Sequence, residues 1–323
     1  MTTQPETILA HLTDIHFPQN PVPSFTELSL KRFFGLLNWH LSRKSMHLSE
    51  TLEAMTKDVL AQTFNHLIVS GDLVNLSLHQ EYLTALPWLE RFGSPGGLSF
   101  VPGNHDYYGP TSFLTSAGSP NFSDEADIPI SHSKDLLPFM TSDNKGIKLG
   151  GASGPDLPFV RVVNDVALIG LNSGVPTPLF KAYGRLNENS LDALEHILNA
   201  CKDAHLYRCV ILHHPPLPGI TTLSRGLQND HLLQAILREA GAELVLYGHN
   251  HKQHHERLTT SHGVCHIIGT PSASIGFNSR YELARYNLFS IRPTTAGWST
   301  NMTGRGLQKS YGGVVDLGTT ELV

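Results

Sequence analysis

Charge is scarce in this chain and nearly balanced: 23 Lys and Arg face 28 Asp and Glu over 323 residues, 16% of the total, for a formal net charge of −5. Without a basic excess there is no global positive field to draw in a polyanion, which argues against DNA or RNA as a general partner. Cysteine is rarer. Cys201, Cys209 and Cys265 are too few, and fall too late in the chain, to build a disulfide framework. Their scarcity points to a reducing compartment, with the cytoplasm as the expected location. No run reaches the roughly 18 apolar residues of a membrane span, and the opening MTTQPETILAHLTD has neither a basic n-region nor a long apolar h-region. Neither an integral protein nor one exported by that route is expected. No internal repeat or low-complexity tract occurs. What is present fits a soluble globular chain: 40% hydrophobic residues, 28 Gly and 20 Pro, enough to bury a sizeable core and to exclude disorder and collagen. Histidine, at 19, is the exception. Where those histidines fall carries the functional reading.

Short apolar runs that end in polar clusters recur over 8–15, 66–70, 98–102, 166–172, 208–212 and 243–247. Each reads as a buried strand. Between several of them, 51–64, 79–92, 187–204 and 229–240 carry apolar residues at helical spacing, the last closed by Gly241. Alternating strands and helices predict a layered α/β protein, taken as one domain over 1–323. From Val264 onward the runs VCHIIGT, ARYNLFSI and GGVVDL follow one another without helices and predict a closing antiparallel or mixed portion of sheet. The span 107–158, rich in Ser, Gly, Pro and Asp, reads as a long surface excursion.

Five polar clusters stand at the C-terminal ends of predicted strands, where open α/β sheets place ligands. They are Asp14-Ile15-His16, Gly71-Asp72, Gly103-Asn104-His105-Asp106, His213-His214-Pro215-Pro216 and Gly248-His249-Asn250-His251. Singly, each arises often by chance. As a set they are hard to explain by packing, because strand tips do not need His and Asp and unpaired buried ionisable groups are costly. Carboxylate oxygens and imidazole nitrogens without thiolate suit Mn, Fe, Zn or Co. Asp14, His16, Asp72, Asn104, His213, His249 and His251 are too many donors for one tetrahedral ion, and two ions sharing a carboxylate fit the count. Two divalent ions about 3.5–4 Å apart clamp a phosphoryl group and acidify a water, so phosphate-ester hydrolysis is the natural reaction class.

In these residues the chain resembles the calcineurin-like metallophosphoesterase superfamily, reproducing in order D-x-H, G-D, G-N-H-[DE], H and G-H-x-H from Asp14 to His251. The resemblance implies a four-layer α/β/β/α sandwich. It also implies one metal held by Asp14, His16, Asp72 and His251, a second held by Asp72, Asn104, His213 and His249, and Asp72 bridging. The ions would be divalent or mixed-valence, Mn, Fe or Zn. Of the pair His213-His214, His213 is chosen because the family places its ligand two residues before a Pro. His105 corresponds to the family's non-ligand histidine at the phosphate, and Asp106 is expected to orient it. A metal-bound hydroxide would attack in line. Leu73-Val74-Asn75 after Gly71-Asp72 lacks the tyrosine of purple acid phosphatases and the G-D-x-V-D-R-G of Ser/Thr protein phosphatases. The stretches ALIGLNSG, ILHHPPLPG and LYGHNHK look like the bacterial phosphodiesterase branch that includes class III cyclic-nucleotide phosphodiesterases. A phosphodiester, small or lipid-linked, is therefore the expected substrate. A phosphomonoesterase and a non-catalytic scaffold are the other classes. For His254, His255, His262 and His266, structural or solvated roles are expected.

A segment at about 20–48 is longer than a strand-to-helix connection needs and is read as a helical insertion beside the metals. Over 30–44 helical spacing gathers Leu30, Phe33, Phe34, Leu37 and Leu41 on one face, expected to pack inward. Leu36 and Trp39 fall opposite, among Arg32 and Arg43, and 28–48 holds basic but no acidic residues. The plainer expectation is a packed hairpin with solvated arginines. The other is peripheral membrane contact through about 28–48, on the inner face of the membrane. The insertion resembles that of UDP-2,3-diacylglucosamine pyrophosphatases of the metallophosphoesterase type, which makes a UDP-linked acylated sugar the alternative substrate.

Overall fold

The protein is described from a computed structural model over residues 6–108, 133–149, 158–277, 281–309 and 312–323. In chain order its elements are β1 (Thr7–Leu12), α1 (Leu30–Leu41), α2 (Ser49–Leu60), β2 (His66–Val69), α3 (His79–Glu90), β3 (Leu98–Phe100), α4 (Ser133–Leu136), β4 (Phe159–Val163) and β5 (Val166–Gly170). They continue with α5 (Glu188–Asp203), β6 (Tyr207–Ile211), α6 (Asp230–Ala240), β7 (Leu244–Tyr247), β8 (His254–Thr260), β9 (Gly263–Gly269), β10 (Arg285–Thr294), β11 (Gly297–Gln308) and β12 (Gly313–Leu322).

Two six-stranded sheets result, ordered β12-β11-β10-β1-β2-β3 and β4-β5-β6-β7-β9-β8. β1, β2 and β3 run parallel, as do β5, β6, β7 and β9. Each sheet thus gathers its C-terminal strand tips on one edge. β10 pairs antiparallel with β1, so the two ends of the chain share a sheet. Period-two burial separates the layers. Along β6, Tyr207, Cys209 and Ile211 enter one apolar cluster and Val210 another; along β7, Leu244 and Leu246 divide in the same way from Val245 and Tyr247. The first cluster joins both sheets, through Leu9, Phe289 and Met302 of one and Leu168 and Ile268 of the other, to Leu52 and Met55 of α2 and Tyr82 and Leu89 of α3. The second fills the space under α5 and α6 with Leu194, Leu198, Leu233 and Leu237. This is the four-layer α/β/β/α sandwich implied by the resemblance.

The six predicted strands form within a few residues of their expected bounds, and so do the four predicted helices. Asn187 caps α5 by accepting from the Asn189 N–H, and Gly241 ends α6 with φ +77°. β4, β8 and β11 were not expected. β8 reads HHERLTT and lies at the edge of its sheet, where a polar face needs no apolar run. Of the excursion expected over 107–158, residues 109–132 and 150–157 lie outside the described residues.

In the segment read as an insertion, α1 spans Leu30–Leu41 and is turned the other way from the expectation. Leu30, Phe33, Leu37 and Leu41 are exposed, while Lys31, Arg32 and Trp39 are the buried residues of α1. The cause is polar. Arg32 donates from Nε to the Leu76 carbonyl (3.1 Å), from Nη1 to that of Glu27 (2.8 Å) and from Nη2 to that of Ser77 (2.8 Å). Lys31 Nζ donates to the Thr177 carbonyl (2.8 Å) and hydroxyl (3.0 Å) and lies 4.8 Å over the Tyr108 ring. Loop carbonyls that water cannot reach need donors, and these two side chains supply them.

Candidate metal centre

The predicted ligands sit just past β1, β2, β3, β6 and β7, where the strand tips of both sheets meet. Asp14, His16, Asp72, His249 and His251 all adopt positive φ, between 40° and 70°. Left-handed backbone costs a non-glycine residue on the order of 1 kcal/mol or more, and such strain concentrates where function fixes a side chain. The glycines between them permit close approach: a Cβ at Gly103 would strike the Asp72 carboxylate, and one at Gly248 would strike Thr13 Oγ1 and Asp14 Oδ2.

Two groups of donors converge, Asp14 with His16 and His251, and Asp72 with His213 and His249. His251 Nε2 lies 3.0 Å and His16 Nε2 3.8 Å from Asp14 Oδ1. Asp72 Oδ2 stands between the groups, 3.6 Å from His16 Nε2 and 3.3 Å from His213 Nε2. Donors about 2.1 Å from a shared ion sit roughly 3.0–3.4 Å from one another, so the spacing fits two ions with Asp72 common to both.

Each carboxylate keeps one oxygen for that purpose. Asp14 Oδ2 accepts from the Thr13 hydroxyl (2.9 Å) and the His249 N–H (2.8 Å), and Asp72 Oδ1 accepts from the His105 N–H (2.7 Å). His213 Nδ1 donates to the Ser70 carbonyl (2.8 Å), which leaves the Nε2 lone pair facing Asp72. Asp14 Oδ1, His16 Nε2, Asn104 Oδ1 and His249 Nε2 are buried without any hydrogen-bond partner. Buried polar atoms are rarely left so, and those of Asp14, His16 and His249 belong to the two converging groups, which metal ligation explains. Burial alone would raise Asp72, but His213 and His105 hold it well below the usual carboxylate range. Asp14 is held low against burial by His251 and His213. Both carboxylates are therefore held ionised. His214, the rejected member of the pair, turns its Nδ1 to the Ser173 hydroxyl (2.9 Å).

His105 stands beside this donor set, but Asp106 does not orient it, contrary to the sequence expectation. The Asp106 carboxylate turns back beneath the loop and accepts from the N–H groups of Gly103 (2.8 Å), Leu73 (3.1 Å) and Val74 (3.3 Å). Three backbone donors from two neighbouring loops outcompete an imidazole that has another partner. That partner is the Asn75 carbonyl, 2.6 Å from His105 Nδ1, which must therefore carry the proton. Leu73 and Val74 themselves pack into the apolar core, at the place where purple acid phosphatases put their tyrosine ligand.

Two residues of the insertion reach the centre, and sequence reasoning gave neither of them a role there. Arg43 Nη2 lies 2.8 Å from His105 Nε2 and Nη1 lies 3.3 Å from His16 Nδ1. His47 is buried 4.5 Å from the His16 ring, with Nδ1 2.7 Å from the Ser274 hydroxyl and Nε2 without a partner. The basic run after α1 was the available signal for Arg43; nothing in the spacing marked His47.

Curated proteins give no match to the chain. Among solved structures it is similar to a dimetal phosphatase from Danio rerio, with a TM-score of 0.59 at 12% identity over 97% of this chain and 99% of that one. It is also similar to the purple acid phosphatase PPD1 from yellow lupin (Lupinus luteus) seeds, with a TM-score of 0.52 at 10% identity over 97% of this chain and 53% of that one. At such identities the likeness is one of fold. A model of the calcineurin-like phosphoesterase family matches residues 8–253, which contain every donor described above, and the chain belongs to that family.

Proposed function

We propose that the protein hydrolyses a phosphodiester, using two divalent or mixed-valence transition-metal ions, Mn, Fe or Zn. The observation that carries the reading is Asp72 Oδ2, within reach of His16 on one side and His213 on the other. Asp14, His16, Asp72 and His251 would hold one ion, and Asp72, Asn104, His213 and His249 the other. When bound, such a pair polarises a phosphoryl group and acidifies water.

The remaining roles belong to side chains. Arg43 supplies a fixed cation whose N–H groups meet the non-bridging oxygens of the phosphate. His105 presents Nε2, the ring nitrogen not tied to backbone, to the reacting phosphate, where it would take up the proton released by the attacking water and pass it to the leaving oxygen. Asp106 ties the loop that carries Asp72 to the loop that carries His105. The preference for a diester is supported by the loop after Asp72, where Leu73 and Val74 are core residues and the signatures of two phosphomonoesterase branches are missing. It follows the resemblance to the cyclic-nucleotide phosphodiesterase branch, with the cytoplasm as the site of action.

The test is a rate comparison on Mn-reconstituted protein between bis(p-nitrophenyl) phosphate and p-nitrophenyl phosphate, with His105→Ala as control. A higher kcat/KM for the diester is expected. A preference for the monoester would overturn the reading, and absence of turnover on either with both metals bound would favour a scaffold. One observation favours a second substrate reading, the exposed apolar stripe of α1. A UDP-linked acylated sugar in detergent micelles is the substrate that tests it.

A further inference from the structure

Around the mouth of the metal centre, apolar side chains that a helix normally buries face outward. On α1, Leu30, Phe33, Leu37 and Leu41 form an exposed row at helical spacing, Leu41 at 76% and Phe33 at 50%, and Phe25 ahead of the helix is fully exposed at 100%. The Phe34 ring lies 5.6 Å from that of Phe180, which is 80% exposed. From there the backbone runs beside a second loop, the Ala182 N–H donating to the Ser224 carbonyl (3.0 Å) and that of Gly184 to Gly226 (3.1 Å). That loop raises Leu223, 91% exposed. Both ends of the patch touch the centre: Arg43 follows α1 and reaches His105, and Arg225 donates to the His249 carbonyl at 3.4 Å.

Charge sorts with the apolar surface. The loops and helix of the rim, 28–49, 172–187 and 212–229, contain no acidic residue, although the chain holds 28 of them, and Glu27 beside Phe25 is half-buried with its carboxylate turned onto the N–H groups of Ser24 (3.0 Å) and His79 (3.2 Å). Lys44, Lys181 and Arg225 are exposed there. A contiguous apolar patch on a protein surface marks an interaction site. A second copy of this chain, meeting the patch face to face, would bring cations against cations. An anionic lipid surface answers both the apolar row and the sign of the charge.

We propose that this face docks on an anionic bilayer, with Phe25, Phe33, Leu37, Leu41, Phe180 and Leu223 entering the boundary between headgroups and acyl chains. Docking turns the mouth of the centre toward the lipid. It requires no turnover, so its failure and that of the diester reading are scored separately.

Co-sedimentation with phosphatidylglycerol–phosphatidylcholine vesicles tests it on the full chain. The wild type is expected to sediment with these vesicles at low salt, and less with phosphatidylcholine alone or at high salt. The triple substitution Phe33→Ser, Leu37→Ser, Leu41→Ser removes apolar anchors that pack on nothing in the interior, and should lower the partition coefficient at least about tenfold. A control pair on α2 and α3, Leu60→Ser with Leu83→Ser, removes exposed leucines elsewhere and should change nothing. Lys44→Glu with Lys181→Glu should abolish the preference for anionic vesicles, which gives a second reading should the triple variant fold poorly by circular dichroism. No sedimentation of the wild type at low salt, or equal binding by both rim variants, overturns the proposal. So does a wild-type dimer in sedimentation velocity that the triple variant dissolves, because the face would then belong to self-association.

Discussion

The strand-tip turns and the helical insertion meet at the same centre, yet they record function in opposite ways. At the tips, residue type and spacing suffice: a sheet edge fixes where each turn stands, and five donors accept left-handed backbone to aim inward. In the insertion, the same chemistry hides behind an inverted helix. Arg32 faces the interior because the loop at Leu76 and Ser77 offers carbonyls in need of donors, Lys31 because Thr177 does, and the leucines and phenylalanines face out. Periodicity states which residues share a face of a helix. Which face turns inward depends on what lies opposite, and that partner is elsewhere in the chain.

Asp72 should give the largest effect. Asp72→Ala removes the carboxylate whose Oδ2 lies within reach of His16 and His213, and turnover should fall on the order of a thousandfold or more, with both metals lost together by elemental analysis. Retention of one full equivalent would show that the two groups are independent. His105→Ala should cost roughly a hundredfold in kcat with metal content unchanged. Arg43→Ala tests whether the insertion belongs to the centre at all. A loss of about tenfold or more is expected, with metal retained, and Arg43→Lys should restore only part of it, since an ammonium cannot span two oxygens as a guanidinium does. Wild-type rates in Arg43→Ala would return the insertion to a purely structural role.

The layers and nearly all of the donor set were legible in the sequence because they depend on local rules. Apolar runs closed by polar clusters gave β1, β2, β3, β5, β6 and β7, and Asp14 through His251 stand at the tips of five of these strands. The role given to Asp106 failed for a reason that sequence does not carry. An adjacent carboxylate can orient a histidine or staple the loop beneath it, and the choice depends on whether the N–H groups of Leu73 and Val74, some thirty residues earlier, lie within reach. His47 was illegible because its neighbour Ser274 is 227 residues away. β4 interrupts its apolar run with Arg161, whose guanidinium is satisfied by the Thr141 carbonyl at 2.7 Å and by other loop carbonyls, again a partner no pattern reveals.

If the buried side of α1 is its basic side, Arg32→Met should destabilise the fold by about 2–3 kcal/mol in urea denaturation, because three carbonyls lose their donors at once. A change near zero would mean that water reaches those carbonyls and that the packing of α1 has another cause.

Histidines that lie in the sheets sharpen the comparison from the side of pH. His11 places Nε2 2.7 Å from the Ser70 hydroxyl and Nδ1 3.0 Å from that of Thr270, and His66 Nε2 lies 2.9 Å from the Ser99 hydroxyl. Burial pushes both down to about 3. Unfolded, each would titrate near 6.5, so between about pH 6.5 and 3 the unfolded chain binds protons that the folded one refuses. Their contribution is complete above pH 6.5 and is lost as pH falls, with a slope of about 1.4 kcal/mol per pH unit for each histidine. His66→Gln should flatten the stability profile of the metal-free protein by one such slope, and a profile that stays as steep would place the acid sensitivity elsewhere.

The smallest expected effect is the one that decides which way α1 faces. Leu37 shares a stripe with Leu30, Phe33 and Leu41 that any helical projection would assign to the core. A core leucine replaced by a polar residue costs several kcal/mol, through lost burial and an unsatisfied amide. An exposed one costs within about 0.5 kcal/mol. Leu37→Gln should therefore leave the denaturation midpoint almost unchanged, while Leu198→Gln on the buried face of α5, a helix whose stripe does pack inward, should bring it down sharply. Equal losses at the two positions would mean that something covers α1 in solution, and the outward face would then be an interior surface whose partner is part of the folded protein.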